Sequence, residues 1–222
     1  MASSSPQKRS KQDAQDDDDK VVVSINSDCP DLWRHHIKEV LFSEQTLQDR
    51  VKTLAREISA DYLKADPKAE IVLVGLLNGA ICFVVDLARH LQVPYTMDFM
   101  AVSSYKGAHS KGTIELKKDL SFDPAGKHIL VVEDIVDTGT TLKWLRNYLQ
   151  SKQIASVKVV CLLDKKEGRK VENSQVVVDY VGFVCPNKFV VGYGLDYDQH
   201  YRGLPFIGVL KPKVYIDNPE EG

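Results

Sequence analysis

A chain of 222 residues, 43% hydrophobic and 27% charged, has ordinary globular composition and is long enough for one domain with a sizeable core. Its formal net charge of −2 and pI of about 6.3 argue against a nucleic-acid partner, because a nucleic-acid-binding domain is usually basic. No apolar run is long enough to span a bilayer, the start lacks a secretory hydrophobic region, and Cys29, Cys82, Cys161 and Cys185 have no zinc-site spacing. The expectation is therefore a reduced, cytoplasmic protein that does not enter a membrane.

Residues 1–27 are polar and low in complexity, and predict a disordered tail. Within it "DDDDK" matches the enteropeptidase recognition sequence and "QKRSK" has the character of a weak nuclear address; a solvated tail is the simpler reading of both. Residues 28–222 read as a single domain. Ser43 and Glu44 open a helix, with Leu47, Val51, Leu54, Ile58 and Tyr62 on one face. "IVLVGL" (71–76) is a buried strand, Gly79 punctuates it, and "AICFVVDLARHL" (80–91) is the next helix. "YTMDFMAV" (95–102) is a strand, and "SSYKGAHSKGT" (103–113) reads as a mobile loop. "KHILVVED" (127–134) is a buried strand. "TTLKWLRNYLQS" (140–151) is a helix with Leu142, Leu145 and Leu149 on one face. "SVKVVCLLD" (156–164), "QVVVDYVGF" (175–183) and "KFVVGYG" (188–194) are further strands, and Cys82 and Cys161 read as buried hydrophobes. Strands alternating with helices predict an α/β fold, a parallel twisted sheet with helices on both faces. Residues from about 184 to 222 break the pattern and, with the N-terminal part of the domain, are expected to form a small hood or flap.

"VVEDIVDTGTTL" (131–142) concentrates the chemistry. Ligands of open α/β sheets bind beyond the carboxyl ends of strands, and Glu133 and Asp134 stand at such an end. The Thr138-Gly139-Thr140-Thr141 turn leads into a helix, whose N-terminal amides and hydroxyls suit a phosphate. The acids cannot touch that phosphate, but they suit hydroxyls or a metal ion. A ribose 5-phosphate group meets both needs.

This stretch resembles the phosphoribosyl-diphosphate signature of type I phosphoribosyltransferases, in the form of the 6-oxopurine (hypoxanthine-guanine) branch. "LLDKKEGR", "PNKFVVGYGLDYDQHYR" and "SSY" after a strand resemble the same branch, in order and spacing, over roughly residues 37 to 216. The resemblance implies transfer of a phosphoribosyl group from phosphoribosyl diphosphate to a purine base in purine salvage, with Mg²⁺ as cofactor and a homodimer or homotetramer as the assembly. It implies that Glu133 and Asp134 hold the ribose hydroxyls and contact metal, that Asp137 is the general base near purine N7, and that Thr138 to Thr141 cradle the 5′-phosphate. It further implies Asp196 as a metal-contacting acid and Arg202 as a diphosphate ligand. By the same resemblance, Lys165 would donate to the purine six-position oxygen, with Lys166 leaving the register open by one. Phe189 resembles the aromatic that stacks on the base, Val190 the position whose main chain reads the base edge, and Ser104 and Tyr105 the start of a loop that closes over the site.

One departure stands out. The family usually has Leu-Lys-Gly after the first strand, often with a cis peptide; here the residues are Leu77, Asn78 and Gly79. Main-chain donors to diphosphate remain, but the side-chain charge is gone. Two rival readings on the same fold are a non-catalytic nucleotide sensor and an RNA-binding regulator. An intact Asp137 counts against the first, and a net charge of −2 against the second.

Overall fold

The structure is a computed structural model that describes residues 29–105, 113–169, 171–173 and 176–216. The expected tail at 1–27 and the centre of the expected loop, 106–112, lie outside the described residues. In chain order the elements are α1 (Asp31–Arg34), β1 (Ile37–Phe42), α2 (Glu44–Ala65), β2 (Ile71–Leu77), α3 (Ile81–Ala88), β3 (Tyr95–Tyr105) and β4 (Thr113–Lys118). They continue with β5 (His128–Val136), α4 (Thr140–Gln150), β6 (Ser156–Asp164), β7 (Tyr180–Val184), β8 (Val190–Val191), β9 (Ile207–Leu210) and α5 (Pro212–Tyr215). The main sheet has the order β4-β3-β2-β5-β6-β7. It is parallel except for edge strand β4, which runs antiparallel to β3. A second, antiparallel sheet has the order β1-β9-β8. No helix among the described residues is long and apolar enough to cross a membrane.

Side chains of the central strands alternate between two cores, as a period of two requires. Ile71, Leu73, Leu130, Val132, Val160 and Leu162 join the core shared with α2 and α3. Val72, Val74, Ile129, Val131, Val159 and Cys161 join the core shared with α4. Helices therefore cover both faces, as the alternation of apolar runs predicts. The five apolar positions expected on one face of α2 are all buried, as are Leu142, Leu145 and Leu149 of α4. Helix α2 starts where expected: Ser43 Oγ accepts from the Thr46 amide at 3.3 Å, a cap that contributes about 1 kcal/mol.

Several boundaries differ from expectation. Strand β5 does not stop at Asp134 but runs to Val136, because β6 continues beside it and pairs Ile135 with Leu163 and Val136 with Asp164. Ser104 and Tyr105 are not in a loop. They end β3, where β4 supplies a ladder partner that the polar sequence does not advertise, pairing Ser104 with Ile114 and Tyr105 with Thr113. The strand expected over 175–183 begins only at Tyr180, since Asp179 instead accepts from the Val159 amide at 2.8 Å and from Arg146 at 2.6 Å. The one expected over 188–194 shrinks to Val190–Val191, because Gly192 and Gly194 turn the chain with φ of 99° and 102°. Helix α3 ends at Ala88 rather than Leu91, its last turn tightening through the His90 amide on the Leu87 carbonyl at 3.0 Å. Cys82 is half-buried, whereas Cys161 is fully buried, and all four cysteines are free thiols.

Candidate functional site

Strand β5 lies mid-sheet between β2 and β6, so its C-terminal end opens into the crevice between the connections that follow those strands. The alternation of its side chains continues into the acids. Glu133 turns to the α4 side, where it lines a cavity of about 100 Å³ together with Asp137, Thr138, Gly139 and Thr141. Asp134 turns to the other side and meets the connection after β2: a Cβ built on Gly79 would fall on the Asp134 carboxylate. The two acids thus serve opposite sides of one strand end.

The turn that follows is shaped as an anion cradle. Gly139 is the N-cap of α4 in the left-handed region (φ 76°), a conformation that favours glycine, and Thr140 begins the helix. Thr138 and Thr141 face the cavity. Thr140 does not line it, and its hydroxyl accepts instead from Asn173 Nδ2 at 3.0 Å.

The carboxylates are poorly compensated. Glu133 Oε2 is buried without a hydrogen-bond partner among the described residues. Burial pushes the Glu133 carboxyl well above its usual value, and the neighbouring Asp134 charge adds to that. Asp134 is also raised, chiefly by burial, although the Ile135 amide (2.8 Å) and the Arg202 cation oppose it. Such a pair is stabilised by whatever brings hydrogen-bond donors or positive charge.

Across the crevice, the 192–202 segment packs on the same spot. A Cβ on Gly194 would strike the Gly79 carbonyl, so Gly194, Gly79 and Asp134 are stacked in close contact. Arg202 donates to the Gly194 carbonyl at 2.8 Å and pairs with Asp196 at 2.9 Å, and Asp196 accepts from the Gln199 amide at 2.9 Å. Asn78 is exposed, Gly79 is buried, and the Leu77–Asn78 peptide is cis.

The base-facing candidates follow β6 and precede β8. Lys165 is buried, with its amide on the Val136 carbonyl at 2.9 Å, and its ammonium makes no hydrogen bond or ion pair among the described residues. Lys166 is exposed, so burial separates the two lysines that the sequence leaves equivalent. Asp137 rests against Gly168, whose Cβ, if present, would overlap Asp137 Oδ1 and would lie 3.8 Å from Lys165 Cβ. The acid and the lysine therefore stand side by side. Phe189 is 37% exposed and stacks one face on Tyr215 (centroids 4.8 Å, 21°), while Val190 is buried in β8 opposite Val209.

A crevice at the end of β5 that joins paired acids, a glycine-threonine turn and a buried lysine can be compared with known proteins. The profile of the phosphoribosyl transferase domain matches residues 41–198. The hypoxanthine-guanine phosphoribosyltransferase of Streptococcus pneumoniae is 48% identical over 185 residues, 83% of this chain and 99% of that protein. This chain belongs to the hypoxanthine-guanine phosphoribosyltransferase family. The enzyme of the same name from Bacillus subtilis is 44% identical over the same share of both chains. Among solved structures, a Staphylococcus aureus hypoxanthine phosphoribosyltransferase superposes with a TM-score of 0.76 at 42% identity, covering 86% of this chain and 98% of that one. A Trypanosoma cruzi hypoxanthine phosphoribosyl transferase does so with a TM-score of 0.76 at 40% identity, covering 82% and 95%.

Within this family member, the expected residues other than Thr140 and the base-facing Lys165, Phe189 and Val190 fall into three groups. Glu133, Asp137, Thr138, Gly139 and Thr141 share one cavity. Asn78, Gly79, Asp134, Asp196 and Arg202 cluster on the other side of β5, Asp134 lying within electrostatic reach of both Asp196 and Arg202. Ser104 and Tyr105 stand on β3, and the segment beyond them lies outside the described residues. Gly168, Asn173 and Gly194 contact the site without having been singled out from the sequence. Gly168 was visible inside "LLDKKEGR"; Asn173 sits in a polar stretch with no local signal.

Proposed function

We propose that this protein transfers the 5-phosphoribosyl group of phosphoribosyl diphosphate to a 6-oxopurine, guanine or hypoxanthine, giving the nucleoside monophosphate and diphosphate. The observation that carries this is the placement of Asp137: one carboxylate that lines the cavity of the Thr138–Thr141 turn and adjoins a buried lysine whose ammonium has no partner among the described residues. The phosphate sits in the Thr138–Thr141 turn, with Gly139 and Thr141 facing it. Asp134 and Glu133 receive the ribose hydroxyls, whose donors relieve the uncompensated carboxylates. Lys165 donates to the six-position oxygen, half-exposed Phe189 stacks on the ring, and the Val190 main chain reads the base edge. As the bond from the ribose carbon to diphosphate breaks and the purine nitrogen bonds to that carbon, positive charge develops on the sugar. Asp137 takes the purine proton and stabilises that charge. Ser104 and Tyr105, at the end of β3, would help to cover this centre and exclude water.

The donor set suits Mg²⁺. It consists of hard carboxylate oxygens, one of them a buried atom without a partner among the described residues. Mg²⁺ is commonly held by one or two carboxylates, with waters and substrate phosphates completing its shell. Glu133 on one side of β5, or Asp134 with Asp196 on the other, would hold it, and when bound it would neutralise diphosphate charge. Arg202 and the amides around Asn78 and Gly79 take the diphosphate. The chain acts as one domain whose β1-β9-β8 sheet is the hood, in a cytoplasmic homodimer or homotetramer.

An absorbance assay with phosphoribosyl diphosphate, Mg²⁺ and each of guanine, hypoxanthine, xanthine and adenine tests the reading. Guanine and hypoxanthine should turn over and adenine should not, because its six-position amine faces the Lys165 ammonium donor to donor. Adenine turnover comparable to guanine would remove Lys165 from this role.

A further inference from the structure

The chain returns to the acid motif after β6, through two single turns, Lys166–Gly168 and Val171–Asn173. This return is anchored at both ends: Arg169 pairs with buried Asp164 at 2.6 Å and donates to the Val176 carbonyl at 2.8 Å. Its two inward contacts fall on two different parts of the site. Gly168 lies against the Asp137 carboxylate. Its φ is outside the left-handed region, so its backbone does not itself demand glycine; the space a side chain would need is held by Asp137 Oδ1. Asn173 is 3% exposed and uses its Nδ2 twice, donating to the Thr138 carbonyl at 2.8 Å and to Thr140 Oγ1 at 3.0 Å. Its Cβ also closes the space beside Gly139, standing 3.2 Å from where a Cβ would be.

The bond to the Thr138 carbonyl has a geometric consequence. In a trans peptide the C=O and the following N–H point in opposite directions. Holding the Thr138 carbonyl toward Asn173 therefore aims the Gly139 amide the other way, toward the cavity that Gly139 lines. Glycine at 139 leaves that peptide free to rotate unless something holds it. We propose that Gly168 and Asn173 are positioning residues for phosphoribosyl transfer: Gly168 sets where the base Asp137 stands, and Asn173 orients the 138–139 peptide so that its amide meets the 5′-phosphate.

The inference rests on the phosphoribosyl-transfer reading, and steady-state kinetics of the full chain separates the two. Wild type is assayed first with guanine; absence of transfer there overturns the functional reading itself. Asn173→Leu keeps a branched side chain of similar size and loses both N–H donors. It should raise KM for phosphoribosyl diphosphate by about tenfold or more, the scale of one or two neutral hydrogen bonds, with kcat at saturation little changed. Gly168→Ala should do the reverse, lowering kcat by up to about a hundredfold, as a misplaced reacting group does, with that KM little changed. A purely structural role would move thermal stability without this split, and equal effects of the two variants on both constants would overturn the proposal. Should Asn173→Leu fail to fold, Asn173→Ala takes its place. A titration of wild type and variant with inorganic phosphate, followed at the Gly139 amide by NMR, needs no catalysis: the amide should respond in wild type and respond more weakly in the variant. Equal responses would overturn the role of Asn173.

Discussion

Asp98 of β3 and the Glu133–Asp134 pair of β5 are acids of the same main sheet with opposite fates. Asp98 of β3 is 8% exposed and saturated with donors: the Phe99 amide at 2.7 Å, the Ser121 amide at 2.7 Å, the Ser121 hydroxyl at 2.9 Å and Lys118 at 3.2 Å. Burial alone would raise its carboxyl, but these bonds outweigh it and hold the group below its ordinary value. Glu133 and Asp134 of β5 have few donors and each other's charge, and both are raised. The first acid ties β3 to the strand and loop beyond it. The second pair is held at a cost to the fold, which is what a site prepared for an incoming ligand requires.

The comparison breaks most sharply on activity. Asp137→Asn should lower turnover by roughly a hundredfold or more while nucleotide binding persists, the usual scale for loss of a general base. Asp98→Asn should leave kcat near wild type in the same assay. Near-normal turnover of the Asp137 variant would mean that another group takes the proton.

On stability the order inverts. Asp98→Ala removes the acceptor of the Phe99 and Ser121 amides and of the Ser121 hydroxyl, while Lys118 keeps the Phe99 and Asp119 carbonyls, and should cost about 2–4 kcal/mol in urea unfolding. A loss below about 1 kcal/mol would show that water replaces those bonds readily.

Gly79→Val drives a branched side chain onto the Asp134 carboxylate and should weaken binding of the Mg²⁺ complex of phosphoribosyl diphosphate well beyond tenfold, as measured by calorimetry.

Glu133→Gln should stabilise the ligand-free protein, raising Tm by roughly 2–4 °C near neutral pH, the scale of about 1 kcal/mol in a domain this size. The sign follows from linkage. A carboxyl raised on folding binds its proton more tightly in the native state, so its contribution is present below the ordinary value of 4.5 and is lost as pH rises toward the folded value. The gain in the variant should therefore shrink as pH falls toward 4.5. Asp98 runs the other way: its stabilisation is present above its ordinary value and is lost on acidification through the lowered one. Differential scanning calorimetry across pH checks both.

The smallest effect concerns Asn78. Its side chain is exposed and has no hydrogen bond among the described residues, whereas Gly79 beside it is packed on Asp134, so Asn78→Ala should change affinity for phosphoribosyl diphosphate by less than about tenfold. A larger loss, with Gly79→Val harmless, would mean that the Asn side chain replaces the charge usual at this position.

The sequence by itself determined the layered α/β architecture, because short apolar runs alternating with stretches of helical period are set by neighbours along the chain. It also determined the acid-turn motif, since a strand end and the first turn of α4 are contiguous in residues 133–141. Tertiary structure alone decided which segment each acid meets, the turn before α4 for Glu133 and Gly79 for Asp134, and that Lys165 rather than Lys166 is buried. It also recruited β4 as a partner for Ser104 and Tyr105, and brought Asn173 to Thr138 across 35 residues. Those outcomes depend on which segments meet once the sheet has closed. A polar asparagine in a polar stretch carries no local mark of the carbonyl it will hold.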